Sequence, residues 1–154
     1  RTGAWGSSTF TTNTFQTSDS FSSANGEEYI YYCFAQKTGY SKFGTYKGNA
    51  DTNGTFVYTG FKPALIILKD SSSVASWLMF DNKRDGLNPN SHRVYVNGTD
   101  AEDTDTGSAI DFLSNGFKCR SSDNSTNKSN ATFIYMAFAE APLVGSNNVP
   151  CTAR

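Results

Sequence analysis

Apolar residues along this chain fall in short runs rich in β-branched and aromatic side chains, and Gly, Asn, Asp or Pro interrupts them about every eight to twelve residues. That spacing is the signature of strands in an all-β fold. The pattern predicts strands at residues 9–16, 28–36, 42–47, 55–61, 64–69, 76–81, 93–96, 110–113, 117–120 and 132–141. No stretch carries the 3.6-residue periodicity of a three-turn amphipathic helix. Leu113-Ser-Asn-Gly-Phe117 reads as a hairpin, with Asn115-Gly116 in the positive-φ positions of a type I′ turn. In Lys42-Phe-Gly-Thr-Tyr-Lys47 the aromatics do not alternate strictly, which predicts a bulge or bend at Gly44. Pro63 cannot donate to a ladder and should divide two strands at a corner.

One strand-rich segment is written twice, about a hundred residues apart, too far for a solenoid repeat. Phe10-Thr-Thr-Asn-Thr-Phe15 and then Tyr29-Ile-Tyr-Tyr-Cys-Phe-Ala-Gln36 match Phe112-Leu-Ser-Asn-Gly-Phe117 and then Phe133-Ile-Tyr-Met-Ala-Phe-Ala-Glu140. Whole modules in tandem would give such a spacing, and so would two matching strand pairs within one sandwich. The segments beginning at Tyr29 and Phe133 are apolar on both faces, so each is expected to be a central strand covered on both sides.

The chain of 154 residues is long enough for one core, and a single β-sandwich over 1–154 is the expectation. Aromatics make up 14 % and charged residues only 18 %, the profile of a β-rich extracellular or virion protein. The formal net charge is −1 with Lys and Arg dispersed, so the basic footprint of a nucleic-acid binder is missing. No apolar run approaches the length needed to span a bilayer as a helix. Cys33, Cys119 and Cys151 lack metal-ligand spacing; Cys33 aligns with Ala137 in the repeat and reads as a small hydrophobe rather than half of a disulfide.

Three polar stretches, at 81–92, 97–108 and 120–131, are the end loops of such a sandwich, where binding residues are most often carried. Trp77, Asp81, Asn82, Arg84 and Asp85 form the candidate ligand-binding set, because sugar recognition combines an aromatic face with planar carboxylate, amide and guanidinium groups. The bland alternative makes Trp77 and Phe80 core residues and Asp81 with Arg84 a turn held by an ion pair. Asp100, Glu102, Asp103 and Asp105 could ligate Ca²⁺ but lack EF-hand spacing, so a solvated acidic loop is the preferred reading. His92, the only histidine, reads as a surface loop residue without a nucleophile motif. No catalytic residue, metal site or cofactor is expected. The Asn-X-Ser/Thr triplets at Asn53, Asn97, Asn124, Asn127 and Asn130 are read as markers of surface loops.

Several strings in fixed order carry a resemblance: Tyr31-Tyr-Cys-Phe-Ala35, Gly39-Tyr-Ser-Lys-Phe-Gly44, Phe56-Val-Tyr-Thr-Gly-Phe-Lys-Pro-Ala64, Asp111-Phe-Leu-Ser-Asn-Gly-Phe-Lys118 and Tyr135-Met-Ala-Phe-Ala-Glu-Ala-Pro142. Together they resemble a module of tailed-phage virion proteins, often marine, described as tail fibre or of unknown function. The resemblance runs from about Phe10 to the end of the chain and implies occurrence in tandem, with 1–36 as the closing segment of an upstream module and 145–154 as a C-terminal tail. It further implies assembly in the host cytoplasm and display on the virion surface.

The resulting expectation is a two-sheet antiparallel β-sandwich, jelly-roll or lectin-like, that adheres to a host-surface glycan or receptor through its end loops. Other virion proteins and further copies of the chain, as a trimer, are the expected partners. A structural decoration domain of the capsid or tail is the alternative. A glycan depolymerase using Asp81 and Asp111 comes third.

Overall fold

The computed structural model describes residues 11–15 and 26–141. The chain divides into two compact units, Arg1–Phe34 and Ala35–Arg154, and the boundary falls within two residues of the end of the 1–36 segment. Among the described residues the strands all lie in the second unit: β1 (Ser41–Lys47), β2 (Phe56–Tyr58), β3 (Leu65–Asp70), β4 (Leu78–Asp81), β5 (Arg93–Tyr95), β6 (Ile110–Leu113), β7 (Gly116–Cys119) and β8 (Thr132–Phe138). One short helical turn, α1 (Asn124–Asn127), is capped by the Asp123 carboxylate, which accepts from the Ser125 amide.

The strands form two antiparallel sheets, one ordered β1-β8-β3-β4-β5 and the other β2-β7-β6. The fold is therefore an all-β, two-sheet sandwich. Alternation along β3 and β8 sends Ile66, Leu68, Phe133, Tyr135 and Ala137 into the core. Phe117 joins the layers: its ring meets Tyr46 at 5.9 Å and Tyr135 at 5.5 Å, both edge-on, while Tyr46 stacks on Phe133 at 5.0 Å. Cys119 is a free thiol in this core, pushed up to about 11 by burial, an effect the Tyr46 hydroxyl partly offsets. On the opposite face of the larger sheet Phe43, Met136, Ile67, Met79 and Val94 pair in register and make one half-buried apolar row across its strands.

Eight predicted strands are present, and Pro63 does separate β2 from β3. Other expectations change. The 113–117 hairpin forms, but its two-residue loop is Ser114-Asn115 and neither Asn115 nor Gly116 has a positive φ, so the turn is not type I′. Gly116 instead pairs with Tyr58, and a Cβ there would lie 2.1 Å from the Val57 carbonyl oxygen; the glycine is needed for the approach of β2. Gly44 causes no bulge, since the β1–β8 register is unbroken from Ser41 to Lys47. It leaves room for the Tyr135 ring, 3.0 Å from where its Cβ would sit.

The largest correction concerns the first copy of the repeat. Residues 28–36 form no strand, and Ile30 and Tyr32 are 81 % and 79 % exposed. Cys33, far from being a small core hydrophobe, is an exposed free thiol. The matching β8 is covered because β1 and β3 flank it and the smaller sheet packs below. No such ladder flanks Tyr29–Phe34 among the described residues. Thr11–Phe15 is likewise a turn, closed by Thr14 N donating to Thr11 Oγ1 at 2.9 Å, and the rest of the 9–16 expectation and the 145–154 tail lie outside the described residues.

Candidate functional site

In an antiparallel sheet the start of β3 and the ends of β4 and β8 meet at one edge, where Leu65 stands opposite both Asp81 and Phe138. Backbone bonds from Ala64 N to Phe138 O (2.7 Å) and from Asn82 N to Ala64 O (2.9 Å) carry the pairing into the loops. Lys62, Pro63, Asn82 and Glu140 consequently surround a cavity of about 320 Å³. Lys62 and Asn82 also border an adjoining cavity of about 200 Å³, closed by Leu87, Asn88, Asn90 and Phe112. The two make one groove at the end of the sandwich.

Its electrostatics are those of a polar cleft with a paired rim. Lys83 Nζ lies 2.6 Å from Glu140 Oε1, and the Lys83 hydrogen bond and charge, then the Asn82 amide and the Lys62 charge, hold the Glu140 carboxyl below the usual carboxylate range. Asn88 mimics a strand residue: its amide donates to Phe112 O and accepts from Phe112 N, both at 2.9 Å. Asn90 is only 1 % exposed, bridges to Ile110 through its backbone and donates from Nδ2 to Asp81 O at 2.8 Å. Its Oδ1 is buried without a partner.

The five predicted binding residues do not form one site. Asn82 lines the groove. Asp81 holds the turn after β4, accepting from the Lys83 and Arg84 amides at 2.9 and 3.0 Å and from Arg84 Nε at 2.6 Å. Arg84 also reaches Glu102 at 2.5 Å, so the alternative of a turn fixed by an internal ion pair describes these two residues. Asp85 accepts from the Ser91 amide at 3.3 Å. Trp77 precedes β4 at its opposite end, roughly 13 Å away by strand rise. Phe80 is core. Sequence reasoning passed over Lys62, Asn88 and Asn90; the chain order of β3, β4 and β8 does not reveal that their ends converge.

His92 is half-buried rather than a plain surface residue, with Nδ1 3.0 Å from Glu102 Oε1, though off the line of a hydrogen bond. Asp111 sits on the smaller sheet 3.3 Å from Arg120 Nε while Asp81 sits on the larger one with Arg84, so each carboxylate of the depolymerase pair has its own guanidinium. The acidic loop is solvent-exposed at Asp100, Glu102 and Asp105, as the preferred reading has it, and internal bonds hold it in place. Asp103 Oδ2 takes Arg93 at 2.7 Å and the Tyr95 hydroxyl at 2.9 Å, and Asp105 accepts from Gly107 N at 2.9 Å. Among the described residues no cluster of three His, Cys, Asp or Glu side chains could hold a metal ion.

The Asp105 amide, with Tyr95 and Arg93 and against the cost of burial, holds the Asp103 carboxyl below its ordinary value. A depressed folded-state pKa stabilises the fold above the unfolded value of about 3.9, and that stability is lost as pH falls through the folded value. Unfolding free energy should therefore be flat from pH 7 to about 5 and decline below about 4, and Asp103→Asn should flatten the decline. At the alkaline end, Cys119 should cost stability as pH rises from about 8.5, the unfolded thiol value, towards its raised folded value. Urea titrations across pH check both limbs.

Fold and groove together define the class: an all-β sandwich module with a polar cleft at one end. The chain matches the family described as Domain of unknown function (DUF7483) over residues 1–142 and belongs to that family. No curated protein and no solved structure matches it.

Proposed function

We propose that this chain is a surface module of a tailed-phage virion, at the tip of a fibre or spike, that adheres to a host-surface glycan through the groove beside Asn82. The virion assignment rests on the sequence resemblance. The binding assignment rests on one observation: a concave end-loop groove in which Lys62, Asn82 and the buried Asn90 converge. Saccharides are bound by such sparse polar groups over a partly apolar floor, here Pro63, Ala64 and Ala139. Weak single-site affinity suffices when copies are clustered, as in a trimer, because avidity multiplies it without new contacts.

The test is a glycan array probed with a multimerised form of the chain. Lys62→Ala/Asn82→Ala should lower specific binding at least ~10-fold while leaving the melting temperature unchanged, since both side chains lie outside the core. Asp81→Ala/Arg84→Ala should instead act mainly through stability, by loosening the turn. A folded protein that binds no host glycan would sink the reading. A second reading, a decoration domain packing against other virion proteins, is favoured by the apolar row from Phe43 to Val94 across the larger sheet. Polar substitutions at Ile67 and Met79 that abolish incorporation into particles would support it.

A further inference from the structure

The donors around the larger cavity sit on backbone fixed by the sheet edge. The bond from Ala64 N to Phe138 O (2.7 Å) seats the segment that carries Lys62, the bond from Asn82 N to Ala64 O (2.9 Å) seats Asn82, and Lys83 N donates to Asp81 Oδ1 at 2.9 Å. All three side chains act on one point, the Glu140 carboxylate. Lys83 Nζ is 2.6 Å from its Oε1, the Asn82 amide hydrogen-bonds it, and the Lys62 charge bears on it without forming an ion pair. Two cations and an amide thus gather around a single carboxylate that belongs to the chain itself. That occupant is loosely held. The Lys83 and Glu140 side chains are 70 % and 61 % exposed, and an exposed pair of this kind contributes little to stability. Glu140 also lies past the bond from Ala139 N to Tyr40 O that follows β8, so its side chain can leave without disturbing the sheet. Beside it Pro63, Ala64, Ala139 and Ala141 make a floor of short side chains on which a sugar ring can lie.

We infer that this cavity selects the carboxylate of an acidic sugar, a hexuronic or a sialic acid, and that Glu140 occupies the carboxylate position until such a ligand displaces it. The inference rests on the glycan reading above. The incoming carboxylate takes over the bonds from Lys83 and Asn82 and gains Lys62, a cation with which Glu140 makes no ion pair. Charge-assisted bonds are roughly twice as strong as neutral ones, so a hydroxyl or an amide in the same place does not make good the loss of Glu140. Arg84 does not compete for the ligand, because Asp81 and Glu102 already hold its guanidinium.

NMR titration of the intact chain with the methyl glycosides of glucuronic, galacturonic and N-acetylneuraminic acid, each against its uncharged carboxamide, tests this. The amide keeps the shape and removes the charge, and the acid that binds best tells the two sugar classes apart. Expected are binding at least ~10-fold tighter for one acid than for its amide, and loss of that margin in Lys62→Met. Glu140→Gln, in which the internal competitor has lost its charge, should bind the acid about 2- to 5-fold more tightly than the parent chain. A Lys83–Glu140 pair with a merely structural role predicts no such gain. Lys62 and Glu140 are both exposed, so the two variants should fold as the parent does. Equal affinity for acid and amide, a margin untouched by Lys62→Met, or acid binding not improved by Glu140→Gln would overturn the inference, while binding of neutral glycans on the array would keep the adhesion reading standing. If no glycan binds, acidic or neutral, both fall.

Discussion

Phe133→Ala is expected to lower the free energy of unfolding by about 3–5 kcal/mol, measured in urea. Phe133 is fully buried in β8, flanked by β1 and β3, and its ring stacks on Tyr46. Tyr46 cannot follow a truncated neighbour inward, because its hydroxyl is tied to Thr126 O at 2.6 Å and its ring edge to Phe117. The space left should remain a cavity, the condition under which the upper part of the range applies. Tyr32→Ala in the first copy of the repeat should change stability by no more than about 0.5 kcal/mol, since that side chain is largely in water. A cost for Tyr32→Ala approaching that of Phe133→Ala would mean that residues 29–34 are packed in solution as β8 is, and would overturn the contrast between the copies.

That contrast marks the limit of what periodicity conveys. Ile30 and Ile134 occupy equivalent positions in nearly identical apolar strings, yet one is exposed and the other lies in a central strand. An apolar run states that a segment can be covered; which strands cover it is decided by partners far away in the chain, here β1 and β3 around β8. Eight strands were legible because each carries β-branched or aromatic residues between turn formers, a local property. Gly116 was legible as a turn signal but misassigned, since its true constraint is the Val57 carbonyl on the neighbouring strand β2, some sixty residues earlier in the chain. The site was half legible for the same reason. Asn82 and the 81–92 loop could be singled out from their chemistry, but Lys62, Asn90 and Glu140 join them only through the antiparallel order of the sheet. The charged residues beside Asn82 drew attention for binding, and the fold spends Asp81 and Arg84 on each other and on Glu102.

Asn127→Ala should cost about 2–4 kcal/mol, against almost nothing for Asn124→Ala three residues earlier. Both begin Asn-X-Ser/Thr triplets, and sequence alone read both as surface markers; Asn124 is exposed, whereas Asn127 is fully buried at the end of α1. Its Nδ2 faces three acceptors, Asn49 Oδ1 at 2.8 Å and the Asp51 and Ser121 carbonyls at 2.9 Å, while its Oδ1 accepts from Asn49 N at 3.0 Å. The side chain thus ties the loop after β1 to the loop after β7, and truncation would orphan groups on both. Asn127→Asp separates this bonding from mere volume. It keeps the acceptor for Asn49 N but turns a carboxylate toward two carbonyl oxygens in a buried site, which raises its folded-state pKa. A raised carboxyl pKa adds no penalty below the unfolded value of about 3.9 and a growing one as pH climbs towards the folded value, so Asn127→Asp should be worse relative to the parent protein at pH 7 than at pH 4. A deficit independent of pH would mean that size rather than hydrogen bonding is what the site requires of Asn127.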